Sequence, residues 1–139
     1  PRAKGHFYKP CVNAMEINGP FTIGPLTVTS FTQGHGFMNS LGFRFDTGAV
    51  SAAYSTDVVT LDDAAFATLE GVEVWIVDCL RMRPHTTHAH LDLALEWIER
   101  VKPRRAVLTH MTQDFDYDSL AEFLPSGVEP AYDTMTIEV

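Results

Sequence analysis

The sequence predicts an α/β fold in which helices flank a mixed β-sheet. Strand patterns alternate with helical patterns along most of the chain, and a hairpin pattern lies near its front. Later strand patterns are apolar almost throughout, which is typical of strands covered on both faces in a parallel arrangement, whereas a hairpin is antiparallel. Both arrangements are therefore expected in one sheet.

Residues 1–25 are rich in Gly and Pro and are expected to be an irregular lead-in. Apolar residues then alternate with threonines from Leu26, which predicts a strand ending near Gln33. A second strand is predicted over Leu41–Phe45 and a third over Val50–Tyr54. The Asp46-Thr47-Gly48 turn between them makes the pair a hairpin.

The second half of the chain alternates helices and strands. Its helices are predicted from the helical spacing of apolar residues, from capping residues and from the stops at Gly71 and Pro103. Pro130 limits one closing strand to the sheet edge. The predicted elements are a helix within 60–71, a strand over 72–78, a helix over Leu91–Val101, a strand over 105–110, a helix over Ser119–Leu124, and strands over Val128–Tyr132 and Met135–Val139.

Size and composition limit the class of protein. The 139 residues suit one domain, and a hydrophobic content of 45% is enough for a packed core. No apolar run approaches the roughly 18 residues of a membrane-spanning helix, and the net charge of −8 argues against nucleic acid as a partner.

Cys11 and Cys79 form no C-x-x-C pair, which is the usage expected in the cytoplasm. Since the chain does not begin with Met, we expect it to be a processed or excised piece.

Polar residues follow four of the predicted strands. They are His35, Asp57, Asp78 and His110. In α/β sheets, ligand sites collect at strand ends because loops converge there on a rigid support. Two imidazoles with one or two carboxylates are ligands that suit zinc, manganese or iron. A structural role at the strand end is the alternative for each of these residues.

Several segments resemble the second half of the metallo-β-lactamase-fold hydrolases. They are "GHG…SLGFRF", "AYSTDV", "VWIVDCLRMRPHTTHAHLDLALEWIERVKPRRAVLTHMTQDFDY" and "LPSGVEPAYDTMTIEV", and together they cover roughly residues 20–139. The most similar subgroup includes the cyclic phosphate phosphodiesterase of the carbon–phosphorus lyase pathway. The resemblance implies that the chain forms about half of a four-layer αββα sandwich.

The resemblance also implies roles for single residues. His35 resembles the histidine that binds the first metal, Asp57 the aspartate that bridges two metals, and His110 the histidine that binds the second metal. His88 resembles a histidine near the substrate phosphate, where it would be a general acid or a phosphate contact. Two divalent ions are therefore expected in the complete enzyme, zinc or manganese, with iron as a further candidate.

The chain departs from this family in one large respect. The family's H-x-H-x-D-H signature, which supplies most metal ligands, is absent from the sequence. "HAHLD" at His88–Asp92 starts in the same way, but Leu93 replaces the final histidine, and we do not expect this segment to be a metal motif. The expected partner is the missing N-terminal half or a second copy of the chain. The isolated chain is expected to be inactive.

Other polar residues of the same region have less specific predictions. Asp78 is expected to anchor the loop after its strand rather than to bind metal. Arg81 and Arg83 lie two residues apart before Pro84, and guanidinium groups suit phosphate recognition, although surface arginines are the alternative. His85 is expected to be an ordinary loop residue.

The resemblance therefore implies a metal-dependent hydrolase that cleaves a small (cyclic) phosphodiester with a water activated by two metals. An RNA-processing nuclease of the same superfamily is an alternative. A non-catalytic α/β half-domain that acts as an assembly unit is another. An upstream H-x-H-x-D-H segment in the complete protein would separate the enzyme from the assembly unit.

Overall fold

The structure is a computed structural model that describes residues 15–138. Cys11, Val139 and most of the expected lead-in lie outside the described residues. Within them, the chain forms seven strands and three helices. In chain order these are β1 (Phe21–Ile23), β2 (Leu26–His35), β3 (Met38–Asp46), β4 (Ser51–Ser55), α1 (Asp63–Leu69), β5 (Val74–Asp78), α2 (Leu91–Val101), β6 (Arg105–Thr109), α3 (Tyr117–Phe123) and β7 (Val128–Pro130).

One mixed sheet contains all seven strands in chain order. Strands β1 to β4 form an antiparallel meander, and β4 to β7 are parallel to their neighbours. Each parallel connection passes through one helix. Because such crossovers are nearly always right-handed, three steps in one direction across the sheet place all three helices on the same face. The predicted α/β class with a mixed sheet is confirmed.

The core lies between the sheet and this helical layer. By strand register, Ala53, Trp75 and Ala106 are neighbours on one face of the sheet. They belong to one buried cluster with the apolar faces of the helices, which include Leu69, Leu91 and others. The Trp75 indole N–H donates to Ser55 Oγ at 3.0 Å, so its polar atom is satisfied inside the core.

The opposite face of the sheet is apolar but only partly covered. By register, Phe43 and Phe45 of β3 lie beside Tyr54 and Ala52 of β4. Leu41 is 45% exposed and Tyr54 is 43% exposed. We refer to the surface formed by Leu41, Phe43, Phe45, Tyr54 and Ile76 as the open face. The two layers, sheet and helices, correspond to the half-sandwich that was expected.

Several predicted boundaries were wrong. Strand β2 does not end at Gln33 but continues to His35, because its last residues pair with the start of β3. The expected irregular lead-in contains β1, whose three residues are too few to show a period in the sequence. No strand forms at residues 135–138. Strand β7 is therefore the edge of the sheet, and its Pro130 has no N–H to donate to a further strand.

The ends of α1 and the stop of α2 agree with the predicted capping, whereas α3 begins two residues earlier than predicted. The side chain of Asp62 accepts from the backbone N–H of Ala65 at 2.8 Å and caps α1, and Gly71 follows the helix with a φ of 69°. Helix α2 spans the predicted residues and is followed by its C-cap Lys102, one residue before Pro103. None of the helices in residues 15–138 is long and apolar enough to cross a membrane.

Candidate metal centre

Three of the predicted site residues come together at the carboxyl-terminal edge of the parallel strands. His35, Asp57 and His88 each offer a ligand atom, and these atoms lie within 4.8 Å of one another. The Nε2 atom of His35 is 3.8 Å from Oδ1 of Asp57, and the His35 and His88 ring centroids are 4.7 Å apart. We refer to these three residues as the metal cluster.

His35 is held by the loop between β5 and α2. Its Nδ1 lies 2.8 Å from the carbonyl oxygen of Thr87, so Nδ1 carries the proton and the Nε2 lone pair is left for a metal. Gly36 permits this close approach. Its φ is 68°, and a Cβ there would lie only 2.6 Å from Cγ2 of Thr87.

Asp57 is fixed by hydrogen bonds to its own backbone and to that of its neighbours. The Gln33 amide donates to the carbonyl of Thr56 at 2.8 Å, and the Ser40 hydroxyl donates to the carbonyl of Asp57 at 2.6 Å. Asp57 has a φ of 57°, in the left-handed region that residues other than glycine rarely adopt. Backbone strain of this kind costs about 1–3 kcal/mol and is concentrated at functional sites.

His88 is oriented by a buried carboxylate. Asp78 is fully buried, and its Oδ2 lies 2.9 Å from Nδ1 of His88 and accepts from the Val58 backbone N–H at 3.1 Å. A carboxylate partner on Nδ1 leaves Nε2 of His88 directed to the metal cluster. Oδ1 of Asp78 has no hydrogen-bond partner among residues 15–138. Asp78 therefore anchors its loop, as expected, and also joins His88 to the segment that carries Asp57.

His110 lies beside the metal cluster but is not one of its three members. Its ring stacks on that of His88, with centroids 4.8 Å apart and planes inclined by 26°. Its φ is 63°, so two of the predicted ligands, Asp57 and His110, have left-handed backbone. Metal binding by His110 and proton transfer by His88 stay predictions.

The two arginines expected at the substrate have different surroundings. Arg81 donates from Nε to the carbonyl of Arg83 at 3.1 Å and from a terminal nitrogen to the carbonyl of Pro84 at 2.8 Å. The Arg81 guanidinium thus stabilises its own loop through these two hydrogen bonds. The side chain of Arg83 is exposed. Substrate contact by either arginine stays a prediction.

His85, which was expected to be an ordinary loop residue, lies beside the metal cluster. Its ring centroid is 5.3 Å from that of His88, and its Nδ1 accepts from the Thr87 backbone N–H at 3.3 Å. Partial loss of water and the nearby Arg81 cation lower the pKa of His85, so it is neutral near pH 7. The only sequence signal was the pair of histidines three residues apart in "PHTTH".

The donor atoms of the metal cluster fit a divalent transition metal. Two neutral imidazoles and one carboxylate are ligands that zinc and manganese accept, and both imidazoles have their second nitrogen hydrogen-bonded. Three ligands form an open site for one ion, with a coordination position left for water or substrate. Two ions would need further ligands beyond these three.

Comparison with known proteins agrees with this architecture. The solved structures of similar fold include a diphosphatase of the PhnP family, with 28% identity and a TM-score of 0.83 over 89% of this chain and 47% of that chain. The metallo-β-lactamase fold protein YhfI from Bacillus subtilis shows 21% identity and a TM-score of 0.69, covering 86% of this chain and 52% of its own. Zn²⁺-bound PqqB from Methylobacterium extorquens shows 14% identity and a TM-score of 0.70, covering 90% of this chain and 55% of its own.

The chain spans about half the length of these solved structures. A comparison with curated proteins found no match. The family model described as "Beta-lactamase superfamily domain" matches residues 3–111, which is most of the chain and includes all three residues of the metal cluster and His110. The chain therefore belongs to the β-lactamase superfamily and has the metallo-β-lactamase fold.

Proposed function

We propose that this chain provides part of the active site of a metal-dependent hydrolase that cleaves a small phosphodiester. The observation that carries the proposal is the metal cluster, in which the Nε2 lone pair of His35 and the Asp57 carboxylate converge beside Nε2 of His88. Bound divalent ions would supply an activated water and neutralise phosphate charge. Zinc and manganese suit these ligands best, and two ions are proposed for the complete site.

Each site residue of the chain has a separate proposed role. His35 and Asp57 are the proposed metal ligands within the cluster, and His110 is the proposed ligand of the second ion. His88 is the proposed general acid: when protonated, its Nε2–H can deliver a proton to the leaving oxygen. The buried Asp78 carboxylate on Nδ1 keeps the ring oriented.

The open face supports a proposal about the partner. Its apolar side chains stay partly exposed, which is typical of a surface that packs against another structural element. We propose that a second half-sandwich, the N-terminal half or another copy of the chain, covers this face and supplies the remaining ligands. The 139-residue chain would then be inactive alone.

Hydrolysis of a diphosphate is the second candidate. The structure with 28% identity is a diphosphatase, and its chemistry also breaks a phosphorus–oxygen bond. A diphosphate and a phosphodiester both present charged phosphoryl oxygens to a metal centre, so the same residues would be used. Substrate comparison separates the two.

The test is hydrolysis by the complete protein, loaded with zinc or manganese, against a cyclic nucleotide, an acyclic phosphodiester, a dinucleoside diphosphate and a structured RNA. We expect cleavage of a small phosphodiester, with kcat lowered at least about 100-fold in His88→Ala while metal content stays unchanged. His90→Ala is the matched control, because His90 makes no side-chain capping bond.

Other outcomes contradict specific parts of this proposal. Loss of metal from His88→Ala would make His88 a ligand instead of a general acid. Cleavage of the diphosphate alone would favour the second candidate, and cleavage of RNA alone would favour a nuclease. A complete protein that binds metal but cleaves none of these substrates would refute the hydrolase and favour a non-catalytic assembly unit.

A further inference from the structure

Thr87 lies between two histidines of the site and contacts both through its backbone. Its carbonyl oxygen is 2.8 Å from Nδ1 of His35, and its N–H donates to Nδ1 of His85 at 3.3 Å. The Thr87 hydroxyl also lies 3.3 Å from Nδ1 of His85. Thr87 therefore accepts a hydrogen bond from Nδ1 of His35 and donates one to Nδ1 of His85, so it orients the two imidazoles in opposite senses.

The opposite senses give the histidines different chemistry. Nδ1 of His35 faces a carbonyl and Nδ1 of His88 faces a carboxylate, so each of these nitrogens carries a proton and each Nε2 carries a lone pair. Nδ1 of His85 accepts a backbone N–H, so in the neutral ring its proton is on Nε2. A protonated nitrogen cannot bind a metal but can donate a hydrogen bond.

The position of His85 places this donor beside the metal cluster. Its ring centroid is 5.3 Å from that of His88, and its side chain is partly accessible to solvent. Two side-chain nitrogens of the neighbouring cation Arg81 donate to the carbonyls of Arg83 and Pro84. His85 thus offers an N–H donor at the rim of the site that is oriented before a ligand arrives.

We propose that His85 is a substrate-contacting residue, which donates its Nε2–H to a phosphate oxygen that the metal ions do not hold. Thr87 is the positioning residue that fixes this orientation. The proposal rests on the proposed function, since it assumes that a phosphoryl group occupies the site. It assigns to the chain a recognition contact that is separate from its metal ligands.

The experiment measures binding of inorganic phosphate by calorimetry to the complete, metal-loaded protein, with metal content determined for each variant. His85→Ala removes the donor, whereas His85→Gln keeps an amide N–H near the position of Nε2. We expect the phosphate Kd to rise about tenfold in His85→Ala, the loss typical of one hydrogen bond to a charged group. It should stay within about threefold in His85→Gln and in the control His90→Ala, and metal content should not change.

Three results would overturn the proposal. These are unchanged phosphate binding in His85→Ala, equal losses in His85→Ala and His85→Gln, or loss of metal from His85→Ala, which would make His85 a ligand. An imidazole ¹⁵N spectrum of the 139-residue chain gives an independent readout, in which the neutral His85 ring must carry its proton on Nε2. If phosphate binding depends on His85 but no phosphodiester is cleaved, the proposed hydrolase is refuted and the contact stands.

Discussion

At the scale of single residues, Asp78 connects the parts of the metal centre. One of its buried oxygens contacts both His88 and the backbone after Asp57, which come from different loops. A carboxylate that orients a metal-site histidine is commonly as important as the ligands themselves, because it sets both the tautomer and the ring direction. The side chain does not need to touch metal or substrate to have this effect.

Replacing Asp78 by Asn should therefore weaken the site. The amide has no charge and can present N–H to Nδ1 of His88, which would favour the wrong tautomer. We expect the affinity of the complete protein for zinc, or its kcat, to fall roughly 10- to 100-fold. Asp92→Asn, an exposed carboxylate in the first turn of α2, is the matched control. Equal metal affinity and kcat in Asp78→Asn and the control would contradict the positioning role.

Cys79, the residue after Asp78, should be unreactive in the folded chain. Burial and the neighbouring Asp78 charge raise the pKa of its thiol to about 12, so at pH 8 only about one thiol in 10⁴ is ionised. In a Cys11→Ser variant, a disulfide reagent should label Cys79 slowly under native conditions and rapidly after denaturation. Complete labelling within seconds in the native state would show that Cys79 is accessible.

At the scale of elements, the β2–β3 hairpin is the support on which the Asp57 loop rests. Gln33 and Ser40, one on each strand, hold the backbone at Thr56 and Asp57. Gly42 of β3 leaves room for the ring of Phe31 and for the Gln33 side chain on the neighbouring strand, and a Cβ at this position would collide with both. The hairpin therefore depends on Gly42 for packing, in addition to Gly36 with its positive φ in the turn.

Gly42→Ala should consequently destabilise the chain. The Phe31 ring is buried and cannot move aside freely, so we expect the free energy of unfolding to fall by about 1–3 kcal/mol. The urea midpoint measures this change. Asn39→Ala, at an exposed position on the same strand, should change it by less than about 0.5 kcal/mol. A Gly42→Ala variant as stable as the control would show that Phe31 and Gln33 repack without cost.

At the scale of the whole molecule, the open face should control association. The isolated chain exposes Leu41 and Tyr54 there, and we expect it to self-associate in light scattering after size exclusion. The double change Leu41→Lys and Tyr54→Lys should give a monomer with unchanged circular dichroism. Phe123→Lys, which alters an exposed apolar residue on α3, should leave association unchanged. A monomeric wild-type chain at high concentration would contradict this use of the face.

The isolated chain should also have an incomplete metal site. Its cluster has three possible donors, of which His35 and Asp57 are the proposed ligands, whereas a pair of ions needs more. We expect calorimetry with zinc to show at most one weakly bound ion per chain. His35→Ala should abolish this binding, and His90→Ala should not. Two tightly bound ions per chain would mean that His110 or other residues complete the site without a partner.

The sequence alone determined the α/β class and most of the helices and strands. Periodicity and capping are local properties, so α2 and the caps of α1 could be located from their own residues. The same reasoning placed His35, Asp57 and His110 at strand ends. It failed at β1 and at Met135–Val139, because whether a short strand forms depends on a partner that lies elsewhere in the chain.

Only the tertiary structure decided which strand-end residues meet. Register and crossover geometry bring His35, Asp57 and His88 together, while His110 stacks beside them. The loop between β5 and α2 has no period, so the sequence could not show that Thr87 would orient His35 and His85 in opposite senses. The bond between His35 and Thr87 joins residues 52 positions apart, and it forms only after the sheet has brought these segments within reach.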